Sequence, residues 1–216
     1  MNFITISDAR MLSNPLMNLL NNLFKIFFCA FLISGLSSCV TRLPTPAGIK
    51  EISLKDYENL VRSKTKDIRI YDGFTNNLEI YATRMDSDMN EAYLSHGARL
   101  FQWSVSQYND EKNKMILKQG TTSDFALSFF TPDRKNDDLS SSKSAWKIFL
   151  DIDGIRYEGK ATKIKRNLAE LEAFFPHHNR WFTFYTVSFP VATSLSENKP
   201  AVLTFTGGLG ATQLKY

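Results

Sequence analysis

After Gly120 the chain alternates apolar and polar residues, which is typical of β-strands because successive side chains point to opposite faces of a sheet. Turn-forming residues such as Thr131-Pro132-Asp133 and Asp153-Gly154 separate the alternating segments. The predicted strands cover 124–130, 145–153, 155–164, 171–175, 181–191 and 201–206, and Gly207 to Gly210 kinks or bulges the chain before a last short strand. This spacing predicts a mainly β fold with some α: an antiparallel β-sandwich, for which an immunoglobulin-like arrangement is one candidate.

The predicted strand over 181–191 is apolar on both of its faces. Trp181 and Tyr185 alternate with Phe182 and Phe184, so neither face is polar. Such a strand is usually covered on both sides, here by the second sheet and a helix. The alternative is that these aromatic rings form a platform that binds sugar or peptide. We expect core packing.

Residues 49–120 combine helical and strand patterns. Ser53 followed by Asp56 is a typical helix N-terminus and predicts a short helix to about Arg62. The segment 66–85 alternates and is interrupted by Asp72-Gly73, a strong hairpin signal. After Asp86, apolar residues recur at helical spacing. They predict one long helix over about 87–117 that packs on the sandwich or caps one end of it.

The first forty residues have the pattern of an export signal. Lys25 precedes the apolar run 26–36, which is about half of the roughly 20 residues that a membrane span needs. A start at Met17 would make a more compact signal than a start at Met1. We therefore expect residues 1–38 to be removed, 39–48 to form a tether, and 49–216 to form a single globular domain.

The end of this signal, Leu36-Ser37-Ser38-Cys39, resembles the lipobox of bacterial lipoproteins. The resemblance implies cleavage before Cys39 and attachment of a diacylglyceryl group to its sulfur, with a further fatty acid such as palmitate on the new amino group. Two or three acyl chains anchor a protein firmly, because each buried CH₂ contributes about 0.8 kcal/mol. The alternative is an ordinary secretory signal that happens to end at a cysteine.

The order of the later motifs is similar to that of a family of uncharacterised bacterial envelope lipoproteins. The matching pieces include Tyr71-Asp72-Gly73-Phe74, Phe174-Phe175-Pro176 and the tail 203–210. This resemblance implies a compact, mostly β domain outside the cytoplasm and carries no catalytic residues. Val40 is not the aspartate that retains lipoproteins in the inner membrane of enteric bacteria. We therefore expect an outer-membrane protein that faces the periplasm.

Composition excludes several classes of function. The net charge of +4 in 216 residues is too balanced for a nucleic-acid-binding protein, which would show a clustered basic stripe. Of the two cysteines, Cys29 leaves with the signal and Cys39 carries the lipid. No thiol then remains for a disulfide, a metal site or a nucleophile.

The loop that contains His177, His178, Arg180 and Trp181 holds the candidate binding residues. The third histidine, His96, is predicted to be a half-buried packing residue within a helix. A zinc site needs three or four converging ligands, and no histidine or cysteine pair here has the required spacing. The acidic loops 133–138 and 151–154 lack the ligand spacing of an EF-hand. We expect no metal, no cofactor and no catalytic residue.

The leading hypothesis is thus a non-enzymatic, lipid-anchored binding or accessory module of the cell envelope, whose partner is a membrane, an envelope protein or a cell-wall component. The alternative is an envelope hydrolase or metal-dependent enzyme that uses His177 and His178. A third hypothesis is an accessory subunit of a secretion or transport complex.

Overall fold

The computed structural model describes residues 43–208 and 210–216. The predicted signal, its cleavage site and Cys39 lie outside the described residues. No helix in the described ranges is both long enough and apolar enough to cross a bilayer.

Two antiparallel sheets pack face to face, as the alternation predicts. The five-stranded sheet has the order β1-β2-β3-β7-β6, and the four-stranded sheet has the order β5-β4-β8-β9. The strands are β1 Thr65–Asp72, β2 Thr75–Met85, β3 Ser123–Phe130, β4 Trp146–Ile152, β5 Ile155–Glu158, β6 Lys160–Lys163, β7 Thr183–Phe189, β8 Ala201–Gly207 and β9 Gly210–Lys215. The β-sandwich is confirmed, although its strand order differs from the immunoglobulin order, in which the fourth and fifth strands share a sheet with the first two.

Helices cover the outer face of the five-stranded sheet. They are α1 Leu54–Lys64, α2 Ser87–Phe101, α3 Val105–Gln119, α4 Leu168–Phe174 and the single turn α5 Thr193–Ser196, with a 3₁₀ turn at Arg134–Asn136. Ser53 caps α1 by accepting a hydrogen bond from the Asp56 backbone, and Asp86 caps α2 in the same way through Met89. Both caps follow from the sequence, because side-chain oxygens satisfy the free N–H groups of a first turn.

The apolar core therefore has two layers, one on each face of the five-stranded sheet. Between the sheets, Ile80, Leu127 and Val187 pack against Leu150 and Leu203 of the four-stranded sheet. On the other face, aromatic and aliphatic side chains of the helices pack against the sheet: Tyr57, Val61, Met89, Leu171 and Phe174 against Met85, Ala126 and Phe184. Each fully buried side chain of this size contributes roughly 1.5–3 kcal/mol, so both layers are substantial.

Strand β7 has the two-sided burial that the sequence indicates. Tyr185 points into the core between the sheets, whereas Phe184 points into the core under the helices. Its neighbour β3 is buried in the same way along most of its length. The expectation of core packing rather than an exposed aromatic platform is confirmed for Phe184 and Tyr185. It is wrong for Trp181, which precedes the first residue of β7 and is 63% exposed.

The single helix predicted over 87–117 is wrong, because the chain breaks at Gln102. This residue adopts a left-handed conformation, with φ of 49°, and ends α2. Two residues later, Ser104 and Gln107 form a reciprocal capping box, with hydrogen bonds of 3.2 Å and 2.9 Å, and start α3. Apolar residues recur at helical spacing on both sides of Gln102, so this periodicity does not show the break. The Ser104-x-x-Gln107 pattern does indicate it, because it is typical of a capping box.

Two predicted strands are also corrected. The segment 171–175 belongs to α4, whose cap is Asn167; its side chain accepts a hydrogen bond of 2.7 Å from the Glu170 backbone. The segment 155–164 is not one strand, because β5 lies in the four-stranded sheet and β6 in the five-stranded sheet.

Gly159 is the point at which the chain passes from one sheet to the other. Its N–H donates a 2.8 Å hydrogen bond to the Ile148 carbonyl, which holds it on the edge of the sandwich. A Cβ at this position would lie 2.6 Å from Phe189 and 2.9 Å from Val187, both fully buried. Only glycine fits this crossing without displacing core side chains.

We predict that Gly159→Ala destabilises the fold by about 1–3 kcal/mol, because the added methyl group overpacks a closed core. Urea denaturation measures the free energy of unfolding. The matched control is Gly208→Ala, where an added Cβ meets nothing within 4 Å; we expect a change of less than about 0.5 kcal/mol. Equal effects of the two substitutions would contradict the prediction.

Candidate functional site

A cavity of about 260 Å³ lies between α3 and the outer face of the five-stranded sheet. It exists because α3 is held mainly at its beginning. Tyr108 is the buried residue of that helix, and it packs with Leu94, Ala98 and Ile49. In the second half of α3, Met115 and Gln119 are half-buried and the other side chains are exposed. The helix thus covers the sheet without filling the space beneath it.

The floor of the cavity is apolar. Ala126 of β3 and Phe184 of β7 lie at its base, and Leu171 and Phe174 of α4 form one wall. Ala126 has the smallest side chain of this set, so the side chains of the sheet fill little of the space directly beneath α3. A ligand body here would contact aromatic and aliphatic groups, which favours an apolar molecule.

The charged groups that line the cavity are all engaged in ion pairs. Lys118 pairs with Asp124, Lys114 pairs with Glu111 at 2.6 Å, and Arg166 pairs with Glu170 at 3.2 Å. Arg166 also donates a 2.9 Å hydrogen bond to the Tyr93 hydroxyl, and burial raises the pKa of Tyr93, so that this phenol is neutral at neutral pH. With its charges balanced in pairs, the cavity favours a neutral ligand over an ionic one.

Two polar atoms of the cavity lining lack a hydrogen-bond partner among the described residues. They are Nε2 of Gln119, at the end of α3, and Oδ1 of Asp124, on β3. Both atoms are buried, and a buried polar group without a partner costs about 1–3 kcal/mol. One is a donor and the other an acceptor, and a hydroxyl or an amide group has both complementary functions.

His177 and His178 do not line this cavity. A 2.9 Å hydrogen bond joins the His178 ring to the Ser128 hydroxyl, and the ring meets Phe184 edge-on. The His177 ring stacks on Tyr81, with 5.1 Å between ring centroids. Burial lowers the pKa of both histidines to about 4, and the neighbouring His178 contributes to the shift of His177. Both rings are therefore neutral at pH 7 and act as packing groups.

The other two candidate binding residues lie outside the core. Trp181 is 63% exposed, and Arg180 is exposed beside it. The loop thus separates the four candidates into the buried His178, the half-buried His177 and two exposed side chains, rather than bringing them together as one site. Arg180 and Trp181 can therefore contact another molecule only at the surface of the domain.

The remaining sequence candidates are explained by local contacts. His96 stacks on Tyr57 at 3.9 Å and hydrogen-bonds the Ala173 carbonyl, so it is a packing residue as the sequence predicts, but it is fully buried rather than half-buried. In the acidic loop, Asp151 pairs with Arg156 and Asp153 with Lys199. The described residues contain no group of three or more side chains that could hold a metal ion.

Sequence reasoning missed the cavity. Its lining comes from seven separate helices and strands, so no short motif contains it. One feature of the sequence does indicate loose packing of α3: its apolar residues Met115, Ile116 and Leu117 are consecutive rather than spaced along one face. Such a helix cannot bury all its apolar residues against one sheet.

Comparisons with protein-family models, with curated proteins and with solved structures find no match to this chain.

We predict that His178→Asn flattens the pH dependence of stability. The folded state keeps His178 neutral down to about pH 4, whereas the unfolded chain binds the proton below about pH 6.5. The stability that depends on the neutral ring is present above about pH 6.5 and is lost as the pH falls towards 4. Asparagine can retain a hydrogen bond to Ser128 but does not titrate.

Urea denaturation at about pH 7.5 and about pH 5.5 tests this prediction. Between these values we expect the wild-type protein to lose about 1 kcal/mol more than the variant. The control is His96→Gln, which removes a different buried ring. An unchanged slope in His178→Asn would contradict the assignment.

Proposed function

We propose that this chain is a non-enzymatic binding module of the bacterial cell envelope, anchored by lipid at Cys39, and that the cavity beneath α3 is its binding site. The cavity is the observation that carries the binding role. The lipobox-like ending at Leu36-Ser37-Ser38-Cys39 supports the anchor, and Val40 supports placement in the outer membrane, facing the periplasm.

The proposed ligand is a small amphiphile with an apolar body and one neutral hydroxyl or amide end. A dry cavity of roughly 150 Å³ holds benzene, and drug-sized ligands occupy roughly 300–1,000 Å³. The 260 Å³ found here suits a molecule between these sizes. Its apolar body lies on Ala126 and Phe184. Its polar end accepts a hydrogen bond from Gln119 Nε2 and donates one to Asp124 Oδ1.

The cavity is partly open along the second half of α3, where the lining residues Lys114 and Lys118 are exposed. The first half of this helix is fixed by Tyr108, and the pair between Lys118 and Asp124 holds its end to the sheet. A ligand can therefore enter beside the helix without displacing it.

The hydrolase or metal-enzyme alternative has less geometric support. A general base near neutral pH needs a pKa near 7, and both loop histidines have a pKa of about 4. His178 is also hydrogen-bonded to Ser128 inside the core. The exposed Arg180 and Trp181 suit contact with an envelope protein or a cell-wall component better than they suit catalysis.

We predict that Met115→Trp blocks the cavity, because the indole is larger than the thioether that lines it. The probe is an octanol analogue that carries a photoreactive diazirine. Mass spectrometry identifies the labelled peptides of the mature lipoprotein. We expect labels on cavity residues such as Ala126 and Phe184, and about a tenfold loss of labelling in the variant.

Ile116→Trp is the matched control, because Ile116 is the next residue of the same helix and is 53% exposed. It should label like the wild-type protein. The carboxylate analogue of the probe should label less, since it places an anion beside Asp124. Labelling that is equal in both variants, or spread outside the cavity, would contradict the proposed site.

We predict that Cys39→Ser abolishes lipid attachment and membrane association, because serine has no sulfur to alkylate. Labelling of cells with a palmitate analogue, followed by fractionation, measures both. Ser38→Ala is the matched control, since it keeps a small residue before the cleavage site, and it should remain lipidated. A membrane-bound, unlabelled wild-type protein would show that the anchor is not a lipid on Cys39.

A further inference from the structure

The first described residues do not extend away from the domain but lie against the corner between α2 and α3. The Gln102 side chain donates a 3.2 Å hydrogen bond to the Pro44 carbonyl. A Cβ on Gly48 would lie 3.4 Å from Val105, and Ile49 is buried with Tyr108. Part of the segment that the sequence predicts to be a tether is therefore fixed on the domain.

This corner exposes large apolar side chains next to one another. Leu43 is 60% exposed, and Leu100, Phe101 and Val105 are each more than 40% exposed. Trp103, half-buried, has its ring 6.0 Å from that of Phe101. We call this set, with Leu43 at its start, the α2–α3 corner.

The corner also lacks charge. Residues 43–49 and 100–109 contain no lysine, arginine, aspartate or glutamate, although 22% of the chain is charged. Apolar side chains with a tryptophan and neutral polar groups are the composition that proteins place at a membrane–water interface. A charged partner surface would meet no side chain of opposite charge in these two segments.

The short distance between the corner and the proposed lipid anchor indicates that the corner contacts the membrane. Leu43 lies four positions after Cys39, and an extended chain covers at most about 14 Å over that length. A lipid on Cys39 therefore keeps Leu43, where the corner starts, within about 14 Å of the bilayer surface. No other exposed apolar residue of the described ranges is tied so closely to this end of the chain.

We propose that the α2–α3 corner is a membrane-contact surface that inserts its apolar side chains into the lipid headgroup region beside the anchor. This inference rests on the proposed lipid anchor. Anchor and corner together hold the domain at two points, which fixes its orientation on the membrane. A lipid alone would leave the domain free to rotate.

Single-site fluorescence tests this proposal in the mature, full-length lipoprotein. Cys39 is consumed by lipid and Cys29 is removed with the signal, so an added cysteine is the only reactive thiol. The environment-sensitive dye NBD is attached in Phe101→Cys and Val105→Cys. The matched controls are Ile155→Cys and Trp181→Cys, which are exposed elsewhere on the domain.

Each labelled protein is reconstituted into vesicles of phosphatidylethanolamine and phosphatidylglycerol, with and without a lipid that carries a quenching doxyl group near its headgroup. We expect a blue shift and at least about twofold stronger quenching at 101 and 105 than at 155 and 181. Flotation of the vesicles on a density gradient reports the anchor separately.

The outcomes separate the two proposals. If the protein floats with the vesicles but quenching is equally weak at all four positions, the proposed membrane contact of the corner is overturned and the proposed lipid anchor is retained. A blue shift at 101 without doxyl quenching would mean that a second copy or another protein covers the corner, which also overturns the proposal. Protein that fails to float would overturn the anchor and this inference together.

Discussion

Burial of β3 and β7 on both faces is the constraint on which the rest of the structure depends. These central strands carry apolar side chains on each side, with Tyr185 facing the second sheet and Phe184 facing the helices. Neither layer alone removes both sets of side chains from water, so the domain needs a sandwich and a helical cover. The second sheet follows β3 in the chain, whereas the helical cover comes from both sides of it: α1, α2 and α3 precede β3, and α4 follows.

The helical cover is uneven, and the cavity is the result. α1, α2 and α4 place Tyr57, Met89 and Phe174 firmly on the sheet. α3 packs instead on α2 through Tyr108 and crosses the sheet at a distance. The gap is bounded by Ala126 below and Met115 above. A larger residue at position 126 would close it, so the combination of a small strand residue and a loosely held helix creates the site.

Features set by neighbouring residues could be predicted from the sequence. The hairpin at Asp72-Gly73 and the cap at Ser53 depend on local backbone geometry, and the sandwich follows from strand alternation. Features set by distant contacts could not. Gly159 ends a strand because Phe189, thirty residues away in the chain, occupies the space of its missing side chain. The cavity likewise depends on how far α3 stands from the sheet, and no local pattern encodes that distance.

The break at Gln102 links the two proposed contacts of the domain. An unbroken helix over 87–117 would carry α3 away from the sheet and leave Phe184 and Ala126 open to water. The break instead ends α2 at the exposed corner and directs α3 back over the sheet. α3 is 15 residues long, about 22 Å, and runs from Val105 at that corner to Gln119 at the polar end of the cavity. One helix therefore joins the proposed membrane contact to the proposed ligand site.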